Sequence, residues 1–215
     1  MTVRRSTRRT FVREALTVVG GLTALPELLD RAGLTEAALA ADGDLVEDTL
    51  SGLVAFVVPG PDRHSVAQGE SSPEPGGIDA GAVPALILGL DSIQEFQPTL
   101  AAGVAALLNG VAERVDPGSA SGPFRSAFAN LSFGKKAGVF SVLESDPSFA
   151  PFRSLVGVLA ALVAFLAYSE VGMFDPATRT IAGEPVGWRI SSYDGVADGR
   201  DEFRGYFEHR RKADA

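Results

Sequence analysis

Apolar residues recur at helical spacing through most of the chain. Val46, Leu50, Leu53, Val54 and Val57 mark one face of a helix. Asp44 opens it with Glu47 three residues on, the form of a capping box, and Pro59 stops it. A second helix is predicted over Pro84–Phe96. A third starts at Pro98-Thr99, carries Leu100, Val104, Leu107, Leu108, Val111 and Val115, and ends at Asp116-Pro117-Gly118. Phe133, Ala137, Phe140 and Leu143 form a further amphipathic face before Asp146-Pro147. Leu155–Tyr168 then runs 14 residues without a charge. A membrane span takes about 20 such residues, and Ser169 and Glu170 interrupt first, so this segment reads as the buried central helix. No comparable period-2 pattern and no internal repeat occurs. The pattern predicts an all-α fold, a small irregular helical bundle.

Two stretches break the pattern. Residues 59–84 hold five Pro and five Gly among 26 positions and read as a long, solvated loop without core positions. Residues 172–215 hold six of the 17 aromatics and show no sustained period: Phe174, Trp188, Tyr193, Phe203, Tyr206 and Phe207. Turn signals at Asp175-Pro176, Tyr193-Asp194-Gly195 and Asp198-Gly199 separate them. Aromatics interleaved with turns and charge suit an extended tail laid on a surface, either a partner's or the chain's own bundle. The organisation expected is therefore a leading segment 1–40, a helical body 41–171 with a loop at 59–84, and a tail 172–215.

Composition narrows the chemistry. The 215 residues suffice for one cored domain. The chain has no cysteine and two histidines, His64 and His209, which rules out thiolate metal sites, cysteine nucleophiles and a three-histidine centre from this chain alone. The net charge of −8 argues against a nucleic-acid partner. There is no Gly-x-Gly-x-x-Gly fingerprint and no Gly-x-Ser-x-Gly elbow. Gly134-Lys135-Lys136 is not a phosphate loop, because Ala129 and Lys136 stand where Gly and Ser/Thr are needed. His64 reads as a solvated loop histidine, since a catalytic base needs an orienting partner and a pocket. No catalytic, cofactor-binding or metal-binding residue is assigned to this chain.

The charge is unevenly placed. Residues 1–40 carry six arginines and four acids, a net of +2, against −10 for the remainder. Thr7-Arg8-Arg9-Thr10-Phe11-Val12-Arg13 resembles the twin-arginine export motif, with Arg8, Arg9 and Phe11 as its targeting residues. Ala15–Leu25 supplies a modest apolar run, and Ala38-Leu39-Ala40 has the small–x–small form of a cleavage site with Ala41 as the mature start. Glu27, Asp30, Arg31 and Glu36 separate the apolar run from that site.

The signal and the tail together resemble the gluconate 2-dehydrogenase small-subunit family (subunit three). The strings that carry the resemblance are Tyr168-Ser169-Glu170, Phe174-Asp175-Pro176-Ala177-Thr178-Arg179, Gly183-Glu184-Pro185-Val186-Gly187-Trp188 and the run from Tyr193 to Phe207. The resemblance implies a non-catalytic accessory subunit that escorts a large flavoprotein dehydrogenase through the twin-arginine translocase and stabilises it. FAD would then reside in that partner and not in this chain, a cytochrome c subunit is a further partner in several such systems, and the location is periplasmic or otherwise extracytoplasmic. Trp188, Tyr193, Arg200, Phe203, Arg204, Tyr206 and Phe207 are the expected partner-binding residues. The alternatives are a free-standing exported ligand-binding or envelope protein, or an exported hydrolase or lyase.

Overall fold

The computed structural model describes residues 29–92, 98–170, 173–175, 177–181 and 183–192. After a helical turn at 29–31 come α1 (Thr35–Ala40), α2 (Gly43–Val57), α3 (Arg63–Ala67), α4 (Ala82–Asp91) and α5 (Leu100–Val115). They are followed by α6 (Phe133–Ser145), α7 (Arg153–Tyr168), the two-residue strands β1 (Phe174–Asp175) and β2 (Thr180–Ile181), and α8 (Val186–Ser191). Short 3-10 turns at Pro117–Ser121 and Pro147–Phe152 precede α6 and α7. β1 and β2 pair antiparallel, Phe174 with Ile181 and Asp175 with Thr180. The all-α class read from the periodicity is the observed one.

The centre of the bundle is α5. Every residue from Leu100 to Leu108 is buried, and five of those nine are Ala or Gly. Small side chains let neighbouring helices approach on all sides: α5 packs against α1, α2, α4 and α6. The expected central segment, α7, is instead peripheral. Leu155, Val156, Leu159, Val163, Leu166 and Ala167 face the core, while Val158, Phe165 and Tyr168 face outward. A run of apolar residues without charge has no polar face to mark which side is wet, so pattern alone could not distinguish a buried helix from a half-buried one. By length and composition Pro147–Tyr168 is apolar enough to cross a membrane, with one third of its most apolar window buried in the bundle.

The helix starts are set by short side chains. Asp42, not Asp44, caps α2: its Oδ1 accepts the Leu45 N–H at 2.9 Å, and Asp44 falls in the first turn. Thr99 caps α5 through the Ala102 N–H. The two Asp-Pro breaks behave as expected, with Asp116 and Asp146 each accepting the N–H two residues on. α4 begins at Ala82, two residues before the expected Pro84, because Gly81 takes φ +73° and turns the chain into it. Pro84 then sits in the first helical turn, where its missing N–H is harmless. The helix ends at Asp91, where Ser92 closes it by donating its N–H to Leu88 O, short of the expected end at Phe96, which itself lies outside the described residues.

Residues 59–84 are not a solvated, core-free loop. They contain α3, and Gly60, His64, Ser65, Gln68, Gly76, Gly77 and Ala80 are buried. The glycines allow the backbone to cross itself: a Cβ on Gly60 would lie 2.5 Å from the Gly76 nitrogen, and one on Gly76 would lie 2.5 Å from the Gly60 nitrogen. The crossing is closed by Ser72 N–H to Gly60 O at 3.1 Å and Gly77 N–H to Val58 O at 2.9 Å. Pro and Gly here encode specific turns rather than freedom.

Gly60→Ala and Gly76→Ala are each expected to destabilise the fold by about 1–3 kcal/mol, because the added methyl meets backbone. Gly69→Ala, at φ +85° with open space around it, is expected to cost only about 1 kcal/mol. Urea unfolding of the three variants checks this; a flexible connector would leave all three at wild-type stability.

Candidate functional site

The most elaborate polar arrangement lies where α2, α3, α5 and the 123–130 turn meet. Asp48 projects from the buried side of α2. Its Oδ1 lies 3.0 Å from His64 Nε2 and 3.4 Å from Arg63 Nη2, and its Oδ2 accepts the Ser126 N–H at 3.2 Å. Asp62 caps α3, accepting the His64 and Ser65 N–H groups at 2.9 and 3.0 Å and the Ser65 hydroxyl at 2.6 Å. That cap fixes where His64 points. Its ring stacks on Phe124, centroids 4.3 Å apart. From α5, Asn109 Oδ1 accepts the Ser126 hydroxyl at 2.8 Å and the Phe128 N–H at 3.0 Å, while its Nδ2 donates to Thr49 Oγ1. The turn 123–130 is thus tied to both central helices by side chains.

Burial holds the His64 pKa below its ordinary value, against the opposing pull of Asp48. The ring is therefore neutral at pH 7, and a neutral ring bonded to a carboxylate carries its proton on Nε2. Nδ1 has Asp62 Oδ1 at 3.9 Å, beyond hydrogen-bond reach. Sequence had set His64 aside for want of an orienting partner. Asp48 is that partner, 16 positions away, a spacing that carries no local signal. Outside this dyad lies a cleft of about 380 Å³ bordered by Asp44, Glu47, Asp48, Arg63, Phe124 and Arg125. Arg125 pairs with Asp42 at 2.7 Å and Asp44 at 3.1 Å, which lowers the Asp42 pKa. Phe124 stacks on the imidazole, and only a twentieth of the His64 side chain reaches solvent. The dyad therefore braces the turn and presents little of itself to a substrate.

A second polar centre joins α6 to α2. Lys136 is fully buried; its Nζ donates to Gly52 O at 3.0 Å and Gln68 Oε1 at 2.9 Å and lies 5.4 Å from the Phe128 ring centroid. Gln68 Nε2 donates to Ala55 O at 2.8 Å. The residue four beyond Ala55 is Pro59, which has no N–H, so Gln68 supplies the donor that the helix lacks there. Burial lowers the Lys136 pKa to about 8, with Asp62 acting against the shift.

The outer surface differs in kind. From Ser154 to Tyr168 α7 carries no charge, and Val158, Ala161, Phe165 and Tyr168 line its outward face. Phe165 is 68% exposed, and Leu88 on the neighbouring α4 is 72% exposed. The sequence shows the charge-free run but not that one side of it stays open. α8 seats on the end of α7: a Cβ on Gly187 would lie 2.5 Å from the Tyr168 backbone. Trp188 is half-buried there, its indole Nε1 donating to Glu170 Oε1 at 3.0 Å. Among the tail residues named as partner-binding, Trp188 therefore lies on the chain's own body, in a short helix rather than an extended segment. Tyr193, Arg200, Phe203, Arg204, Tyr206 and Phe207 lie outside the described residues, as do Arg8, Arg9 and Phe11. Comparison of the chain with family models, with curated proteins and with solved structures finds no match.

The Lys136 shift sets a pH dependence. Between pH about 8 and the ordinary 10.5 the unfolded chain holds a proton that the folded chain has released. Raising pH through that window therefore stabilises the fold, and the gain is lost again as pH falls from 10.5 to about 8. The stability gap between wild type and Lys136→Met, from urea unfolding at pH 7 to 10.5, is expected to move in the wild type's favour by about 3 kcal/mol. A gap that does not change with pH would show that Lys136 is not depressed.

Proposed function

We propose that this chain is a non-catalytic accessory subunit that escorts an FAD-dependent alcohol or sugar dehydrogenase through the twin-arginine pathway and stabilises it outside the cytoplasm. The observation that carries the reading is the charge-free outward face of α7, at whose C-terminal end α8 is seated with Trp188 half-buried. An uncharged stripe of this length on an otherwise acidic chain suits a protein partner whose own apolar surface it covers. The arginine string at 7–13 and the tail strings from Tyr168 to Phe207 support the same reading from sequence. The dyad at His64 fits it too, since its hydrogen bonds are used to hold the turn. FAD belongs to the partner, and a cytochrome c subunit is a further partner in several assemblies of this kind. The cleft beside Asp48 favours a second reading, a free-standing exported ligand-binding protein.

Co-expression of the full chain with an FAD-dependent alcohol or sugar dehydrogenase from the same genome that lacks an export signal of its own tests the proposal. The two are expected to co-purify, and export of both is expected to stop when Arg8 and Arg9 become Lys. Phe165→Glu, at an exposed position, is expected to leave the melting temperature of the isolated chain unchanged. It is expected to weaken the complex by roughly 2 kcal/mol or more, about 30-fold. Trp188→Phe keeps a ring while removing the bond to Glu170, and separates docking from local support. Independent purification of the two proteins, or a flavin spectrum from this chain alone, would overturn the accessory reading.

A further inference from the structure

The small–x–small string Ala38-Leu39-Ala40 lies in a helix that the body has a seat for. On α5, Ala102, Ala106 and Gly110 recur every fourth residue and so share one face. α1 packs against this helix. A Cβ on Gly110 would come 3.0 Å from Leu34 Cδ2, so the glycine makes room for the side chain that leads into α1. Leu29 is completely buried and Ala38 is 2% exposed, both within the main core, with Leu34 and Ala41 packed partly against it. The backbone is continuous through the segment: Leu34 N–H donates to Leu29 O at 2.8 Å, and Ala38 N–H donates to Leu34 O at 2.9 Å. Immediately after Ala41, Asp42 caps α2 and pairs with Arg125 at 2.7 Å.

Proteolysis acts on extended, accessible backbone, and a folded segment is cut only as often as it opens. Here residues 38–40 are helical, and the first small residue faces the core. We infer that Ala40–Ala41 is not the processing site of the folded chain, and that the exported protein keeps Leu29–Ala40 as a structural part of its bundle. Any removal of the arginine segment falls before Leu29. This rests on the export reading insofar as the twin-arginine route carries proteins already folded, so that α1 arrives docked. Clefts of about 500 and 480 Å³ open along this contact, one bordered by Ala38 and Ala102 and the other by Leu34, Ala106 and Gly110. The contact itself is held by the buried Leu29 and Ala38 and by the approach of Leu34 to Gly110. Leu34 is the residue whose loss loosens it most directly.

Two measurements decide the matter. The full chain with a C-terminal tag is expressed, the extracytoplasmic form is isolated, and its intact mass is measured. Separately, purified full-length protein is incubated with signal peptidase in detergent micelles, as wild type and as Leu34→Asp. The exported form is expected to begin at or before residue 29. In micelles the wild type is expected to yield no product starting at Ala41, while Leu34→Asp yields it at least about tenfold faster. A mature start at Ala41, or cleavage there in the folded wild type, overturns the inference. If neither variant is cut, Ala40–Ala41 is still not the processing site and the intact mass decides retention of Leu29–Ala40, but the protective role assigned to the Leu34 seat is overturned. Failure of export would count against the twin-arginine reading alone, because the micelle experiment needs no export.

Discussion

A carboxylate buried on the central layer governs how this bundle closes. Asp48 sits on α2 with under a tenth of its surface exposed, where an unpartnered acid would cost several kcal/mol. Its partners come from two separate segments: Arg63 and His64 from α3, and Ser126 from the turn before α6. Those segments must reach their positions for Asp48 to be satisfied at all. Asn109 on α5 then binds the same turn from the other side. The requirement that buried polar groups be paired selects one arrangement of loops between helices whose apolar faces would tolerate several.

The same logic operates at the far end of α2. Pro59 ends that helix but also removes the donor for Ala55 O, and Gln68 replaces it. Gln68 in turn accepts from Lys136, whose ammonium is held by Gly52 O, Gln68 Oε1 and the face of Phe128. Helix α6 is thereby fixed to α2 through a residue from the Pro/Gly-rich connection. The connection is thus a structural layer, and Gly60 and Gly76 are there because two backbones pass too close for a Cβ.

Interior and exterior divide their roles accordingly. The polar centres inside spend their hydrogen bonds on loops and helix ends. The α7 surface offers apolar area without charge, which solvent does not reward and a partner would. The proposed accessory role uses that division: a rigid bundle, braced from within, carrying an apolar strip at its edge. The tail resemblance and the strip meet at Tyr168, the last residue of α7, against which α8 is seated.

How much of this could be read in advance follows from the range of each interaction. Helical spacing, Asp-Pro breaks and a threonine cap are local, acting over three or four residues, and α2, α5, α6 and α7 were legible from them almost to their ends. The role of residues 59–84 was not, because composition records that Pro and Gly are present but not that Gly60 meets Gly76. Nor was the site. His64 and Asp48 are 16 residues apart, Asp48 and Ser126 are 78 apart, and Lys136 and Gly52 are 84 apart; no periodicity joins them. The charge-free run at Leu155–Tyr168 was visible as a run, but which side would face water depended on where α5 took the centre. Sequence by itself determined the helices, the class and the export-like leading string, since those rest on local backbone preferences and on short motifs. Tertiary structure alone decided which polar groups were buried together and which apolar face was left uncovered, because both depend on contacts between segments that the chain order keeps far apart.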